Sequence, residues 1–203
     1  MALWQTATCA NWHVALDRYP AIIQAQQVNG LEELDAWYRT KLPELIAARS
    51  PAYITRNELE RVTRWKMKRG VWRERNRQLV LSNETARVKQ TSIEAFAAVP
   101  DPRKPVDILS RLAGVGPATS SAVLACVAPV LYPFFDELVA AQIPQLGKVA
   151  FTATYYQRYA TKLRERAERL NGACQHRVWT SHELSQALWA ASGGKAAHPE
   201  VGL

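Results

Sequence analysis

Apolar positions along this 203-residue chain recur at helical spacing almost throughout, and no alternation of apolar and polar residues lasts more than a few positions. The pattern predicts helices near 7–17, 20–27, 31–39, 41–49, 57–69, 71–82, 84–98, 105–112, 117–127, 136–142, 152–170 and 180–191, hence an all-α fold class. Prolines punctuate it, with Pro100 and Pro102 before the central stretch and Pro129 and Pro133 after it. "TSHE" reads as a capping box, Thr180 as N-cap and Glu183 three residues into the helix. The expected organisation is N-terminal helices over 1–50 packing on the core, a helical domain over 51–192 with a hairpin at 105–128, and a tail over 193–203.

The hairpin is the most distinctive stretch. In "LSRLAGVGPATSSAVLA", residues 109–125, Leu109 and Leu112 share the inner face of one short helix. Gly114-Val115-Gly116 turns the chain, and Pro117 opens a second helix where its missing N–H costs nothing. Ser120, Val123, Leu124 and Val127 then fall on one face. Glycine permits torsions closed to other residues and lets another backbone approach. The unpaired N–H groups at the second helix's start, with the positive end of its dipole, suit a phosphate. The alternative is a tight connection between packed helices and nothing more.

Composition adds a partner. The formal net charge is +8, and residues 61–77, "RVTRWKMKRGVWRERNR", carry eight basic side chains against the single acid Glu74. Such a density of one sign predicts contact with an anionic partner, here nucleic-acid phosphate. Lys66, Lys68, Arg69 and Arg73 are the named candidates; a solvated basic face or a nuclear-import signal are the alternatives. Gly70 divides the segment into two helical runs, the first turning Leu59, Val62 and Trp65 inward, the second Trp72, Leu79 and Val80. Most of the seven tryptophans are expected in the core.

Cys9, Cys126 and Cys174 stand at unrelated spacings and predict neither a disulfide framework nor a cluster of four thiolates. The pairings of Cys9 with His13 and of Cys174 with His176 read as incidental, so no metal and no cofactor is expected. No apolar signal region and no run long enough for a membrane span is read, which predicts an intracellular protein with no membrane partner; a monomer is expected.

The pattern L-x-x-L-x-G-V-G-x-x-T-x-x-x-V-L resembles the helix-hairpin-helix motif, which grips the backbone of double-stranded DNA without reading bases. The resemblance implies backbone contacts from Gly114, Val115, Gly116, Ala118 and Thr119. The motif also occurs in a superfamily of base-excision DNA glycosylases, in which a catalytic aspartate follows the hairpin. Laid on GVGPAT without a gap, that pattern brings the aspartate onto Asp136 in "YPFFDE". An ionised carboxylate there would stabilise the oxocarbenium-like cation of N-glycosidic cleavage. Asp136 also suits a plain N-cap, and a one-residue shift would give its role to Glu137.

Bifunctional members carry a Schiff-base lysine two residues after the second glycine. This chain has Ala118 there, which implies base release with no strand-cleaving lyase step. The run 58–83, the hairpin, "YPFFDE" and "HELSQALWA" together look like the eukaryotic Amun-like proteins, regarded as nuclear DNA glycosylases. Two other readings stay open: a non-catalytic DNA-binding or scaffold protein, and an interaction module for an acidic protein partner.

Overall fold

Capping side chains start three of the five longest helices, where polar residues precede apolar runs. The computed structural model describes residues 2–6, 8–174 and 177–198, among which no strand is formed. Its α-helices are α1 (Cys9–Asp17), α2 (Tyr19–Ala25), α3 (Leu31–Ala36), α4 (Leu42–Ala47), α5 (Arg56–Arg69), α6 (Glu74–Leu81), α7 (Thr85–Ala97), α8 (Lys104–Leu109), α9 (Pro117–Val127), α10 (Glu137–Ala140), α11 (Ala153–Ala173) and α12 (Ser181–Ala191). Thr55 and Glu58 close a capping box on α5, and Thr180 and Glu183 close the expected one on α12. Thr152 caps α11 and Asp136 caps α10.

The two helices expected over 31–49 form one helical stretch. Pro43 has no N–H to give to the carbonyl four residues back, and its ring would crowd that carbonyl. The chain widens instead into a π-turn over Trp37–Lys41, in which the Leu42 N–H reaches the Trp37 carbonyl.

A single apolar core joins the N-terminal helices to the rest, with Trp12, Tyr19, Leu31 and Leu42 in the same cluster as Leu109 and Val123. α1 packs on α12, α8 on both α7 and α9, and α5 on α6 and α9. At the centre the Tyr38 ring stacks 3.7 Å from that of Trp65, and the Tyr38 hydroxyl donates to the Ala122 carbonyl at 2.7 Å. The N-terminal helices are therefore structural partners of the hairpin's second helix.

Three expectations are corrected. Trp72 is 47% exposed and Leu79 39% exposed, while Val80 is buried as expected. The chain leaves the helical conformation at Gly70 and α6 begins only at Glu74, so Trp72 sits in a connection where helical spacing has no meaning. Cys9 and Cys174 form a disulfide, their Cα atoms 6.0 Å apart, because the start of α1 and the end of α11 meet in the fold. His176 lies outside the described residues, and His13 stacks on Trp179 at 4.9 Å. Of the expected tail, residues 193–198 pack back on the core, where the Ala196 N–H donates to Gln26 Oε1 at 2.7 Å.

Candidate functional site

The two hairpin glycines have different physical tasks. Gly114 has φ +74°, and a Cβ there would lie 2.7 Å from the Asn76 carbonyl oxygen and 2.9 Å from Leu79 Cβ. Only glycine lets the turn press so closely on α6. Asn83 braces the turn, donating from Nδ2 to the Ala113 carbonyl and accepting the Ala113 N–H at Oδ1, both at 2.9 Å. Gly116 has ordinary extended torsions and nothing within 4 Å of where a Cβ would stand. It faces open space at the start of α9.

Backbone bonding tells which of the expected hairpin contacts are available. The Val115 N–H donates to Leu112 O at 3.1 Å and its side chain is buried. The Thr119 N–H donates to Gly116 O at 3.0 Å, and its side chain is enclosed. Among the described residues the N–H groups of Gly116 and Ala118 have no protein acceptor. Gly116 and Ala118 therefore offer free donors, whereas Val115 and Thr119 are turned inward.

The segment after the hairpin is held by α9, α11 and α12. Ser121 Oγ accepts the Phe135 N–H at 3.0 Å, Tyr159 donates to Phe134 O at 2.7 Å, and His182 Nδ1 accepts the Phe134 N–H at 3.3 Å. Tyr132, Phe134, Phe135, Tyr155 and Tyr156 are all buried. This fixed segment delivers Asp136 to the N-cap of α10, where Oδ1 accepts the Leu138 N–H at 2.9 Å and Oδ2 faces Arg69 Nη2 at 3.3 Å.

Arg69 was expected at a phosphate and is instead 3% exposed. The apolar face of α5 turns it into an aromatic cage in which its guanidinium lies 4.2 Å from the Trp189 ring and 4.9 Å from that of Trp65. Its Nη1 donates to the Tyr19 hydroxyl, which donates to Asp35 Oδ1 at 2.7 Å; Trp65 Nε1 donates to the same oxygen at 2.9 Å. A buried polar chain thus runs from Asp35 through Tyr19 and Arg69 to Asp136. Burial pushes the Asp136 carboxyl above its ordinary range, opposed first by Arg69 and then by the Leu138 and Val139 N–H groups. Burial raises Glu137 as well, helped by neighbouring Asp136.

These parts meet in a cleft of about 330 Å³, walled by the end of α5, the start of α9 and residues 134–138. Lys66 and Arg73 line it beside Gly116, Ala118 and Asp136. Burial, and then the Arg73 charge, lowers the Lys66 ammonium below its ordinary range. Lys68 points elsewhere: its Nζ donates to the Asn29 carbonyl, in a second depression shared with Arg61, Arg64 and exposed Trp72. The basic segment therefore divides between two surfaces, with one member in the core.

Sequence reasoning missed three contributors. Phe151, 55% exposed, lines the cleft, Lys195 lines it from beyond α12, and Asn83 braces the turn. An Asn four residues after an exposed leucine carries no signal of its own, and "GGK" resembles the end of an ordered region. Among the described residues no three His, Cys, Asp or Glu side chains are grouped to hold a metal ion, and no helix is long and apolar enough to cross a membrane. No known family model, curated protein or solved structure matches the chain.

Proposed function

We propose that this protein binds double-stranded DNA and acts as a monofunctional DNA N-glycosylase of the helix-hairpin-helix kind, releasing a base and leaving an abasic site. The reading is supported by one observation above all. A single cleft collects the open start of α9, cations of the basic segment and the Asp136 carboxylate. In this mechanism a phosphate of the duplex accepts from the Gly116 and Ala118 N–H groups, favoured by the α9 dipole, while Lys66 and Arg73 supply charge. The target base leaves the stack, since its sugar carbon is shielded inside the duplex, and enters the cleft beside Phe151. Ionised Asp136 stabilises the cation that develops as the glycosidic bond breaks, and water completes the hydrolysis. Arg69 is its positioning residue. Ala118 carries no amine, so no imine forms at that position and the strand stays intact.

A specific observation favours a second reading, a non-catalytic DNA-binding or scaffold protein. Both carboxylate oxygens of Asp136 already have protein partners, a helix N–H and an arginine, which is a complete structural role. Single-turnover base release from duplexes carrying uracil, oxidised and alkylated bases separates the two, for wild type beside Asp136→Asn. Release that disappears in the variant while duplex binding persists supports the glycosylase; intact binding with no release from any substrate supports the scaffold. The nuclear location belongs to the DNA reading, and the Cys9–Cys174 bond, more usual in oxidising compartments, stands against it.

A further inference from the structure

The segment after α12 is built to deliver one side chain. Gly193 and Gly194 have φ +80° and +67°, and a Cβ on Gly194 would lie 2.6 Å from Trp189 Cζ2 and 2.7 Å from Gln26 Nε2. The Gln26 amide holds both sides of the turn, donating from Nε2 to Gly193 O at 3.1 Å and accepting the Ala196 N–H at 2.7 Å. Ser192 Oγ accepts the Gly194 N–H at 3.3 Å, and His198 Nε2 meets Ser192 O at 3.0 Å. Between these fixed points a 3-10 turn over Lys195–Ala197 sends Lys195 into the wall of the Asp136 cleft.

There the Lys195 Nζ is enclosed, with no hydrogen-bond partner among the described residues. An ammonium without partners in an enclosed site is costly, and a lysine left in that state gains by turning its Nζ out to an anion in the cleft that its side chain already lines. Asp136 and Glu137 are both near enough to feel its charge, yet Asp136 hydrogen-bonds to Leu138 and Arg69, and neither carboxylate bonds to Lys195. Lys66 and Arg73 face the same space, as do the free N–H groups at the start of α9. Donors of one sign from three separate elements suit a ligand with several acceptor oxygens and negative charge.

We propose that Lys195, with Lys66 and Arg73, forms a phosphate-binding subsite in this cleft, and that Lys195 is its central ligand. Taking the phosphate to be a nucleic-acid diester rests on the DNA reading above; a free phosphate or phosphomonoester would present the same chemistry.

The test has two arms on the full chain. In the first, duplex affinity is measured by fluorescence anisotropy across a salt series for wild type, Lys195→Ala and Lys195→Arg, with thermal unfolding as the control for folding. In the second, inorganic phosphate is titrated into wild type with isotope-labelled lysines, reading the Lys195 side-chain NMR signal. The expected result is duplex affinity weakened about tenfold or more in Lys195→Ala, a salt slope shallower by about one, and substantial recovery in Lys195→Arg. Wild-type binding with Lys195→Ala unchanged in affinity and slope would overturn the subsite while leaving DNA binding standing. A wild type that ignores duplex but shifts its Lys195 signal with phosphate would support the subsite and reject its nucleic-acid source. No response in either arm would overturn it outright.

Discussion

Replacing each hairpin glycine by alanine tests the division of labour between them. At position 114 the added methyl must occupy a residue with φ +74° and meet a carbonyl oxygen of α6 at 2.7 Å. The left-handed torsion costs an L-residue about 1–2 kcal/mol. Pushing helix backbone aside in a filled region costs a further ~1–3 kcal/mol, because the obstacle is main chain and not the end of a flexible side chain. Gly114→Ala should therefore lose about 2–5 kcal/mol, a drop in Tm on the order of 10 °C for a chain of this size. At position 116 the torsions are open to any residue and the methyl meets nothing within 4 Å. Gly116→Ala should unfold within ~0.5 kcal/mol of wild type. Because that methyl enters the cleft beside the free N–H groups, it should still weaken duplex binding. Chemical denaturation read by tryptophan fluorescence, beside anisotropy with labelled duplex, measures both quantities. An unchanged Tm in Gly114→Ala, or an equal loss in both variants, would refute the packing argument. Unaltered binding by Gly116→Ala would refute the orientation assigned to the start of α9.

The remaining predictions concern buried charge and the cysteines. Arg69→Ala should cost about 3–5 kcal/mol, since it strips Asp136 and the Tyr19 hydroxyl of a buried partner, whereas exposed Arg73→Ala should stay within ~0.5 kcal/mol; equal stability of the two would sink the role given to Arg69. Loss of the guanidinium should also raise the Asp136 carboxyl further, visible in a carboxyl-carbon NMR titration. His182 is pushed down to about 3 by its enclosure and by the Arg69 and Arg39 charges, so the folded protein refuses a proton that the unfolded chain accepts near pH 6.5. Its contribution is present above that pH and declines as pH falls towards 3, by up to ~1.4 kcal/mol per unit, and His182→Asn should flatten the slope; an identical slope would exclude it. Alkylation of the unreduced native protein should modify no cysteine rapidly: Cys9 and Cys174 are joined, and burial pushes the free Cys126 thiol up to about 12. Cys9→Ser should lose about 2–5 kcal/mol, and three rapidly reacting thiols in the native state would contradict the bond.

Much of this molecule is a local matter, and that part was legible without coordinates. Helical periodicity, the Thr180–Glu183 box and the Gly114–Pro117 turn each depend on residues within a few positions of one another, so spacing alone announces them. The pairing of the hairpin with Asp136 rested on the resemblance to the glycosylase pattern and not on local spacing, since twenty positions separate Gly116 from it. What the sequence could not disclose is which side of each helix the rest of the chain would cover. Lys66, Lys68 and Arg69 are near neighbours of one chemical kind, yet one lines the cleft, one bonds to Asn29 on another surface and one lies in an aromatic cage. A helix rotates about 100° per residue, and only the placement of α2, α9 and α12 around α5 decides which direction is inside. The Cys9–Cys174 bond and the seat of Lys195 are decided in the same way. Each joins segments more than 160 residues apart, whose meeting depends on how the whole core packs and leaves no mark at either end.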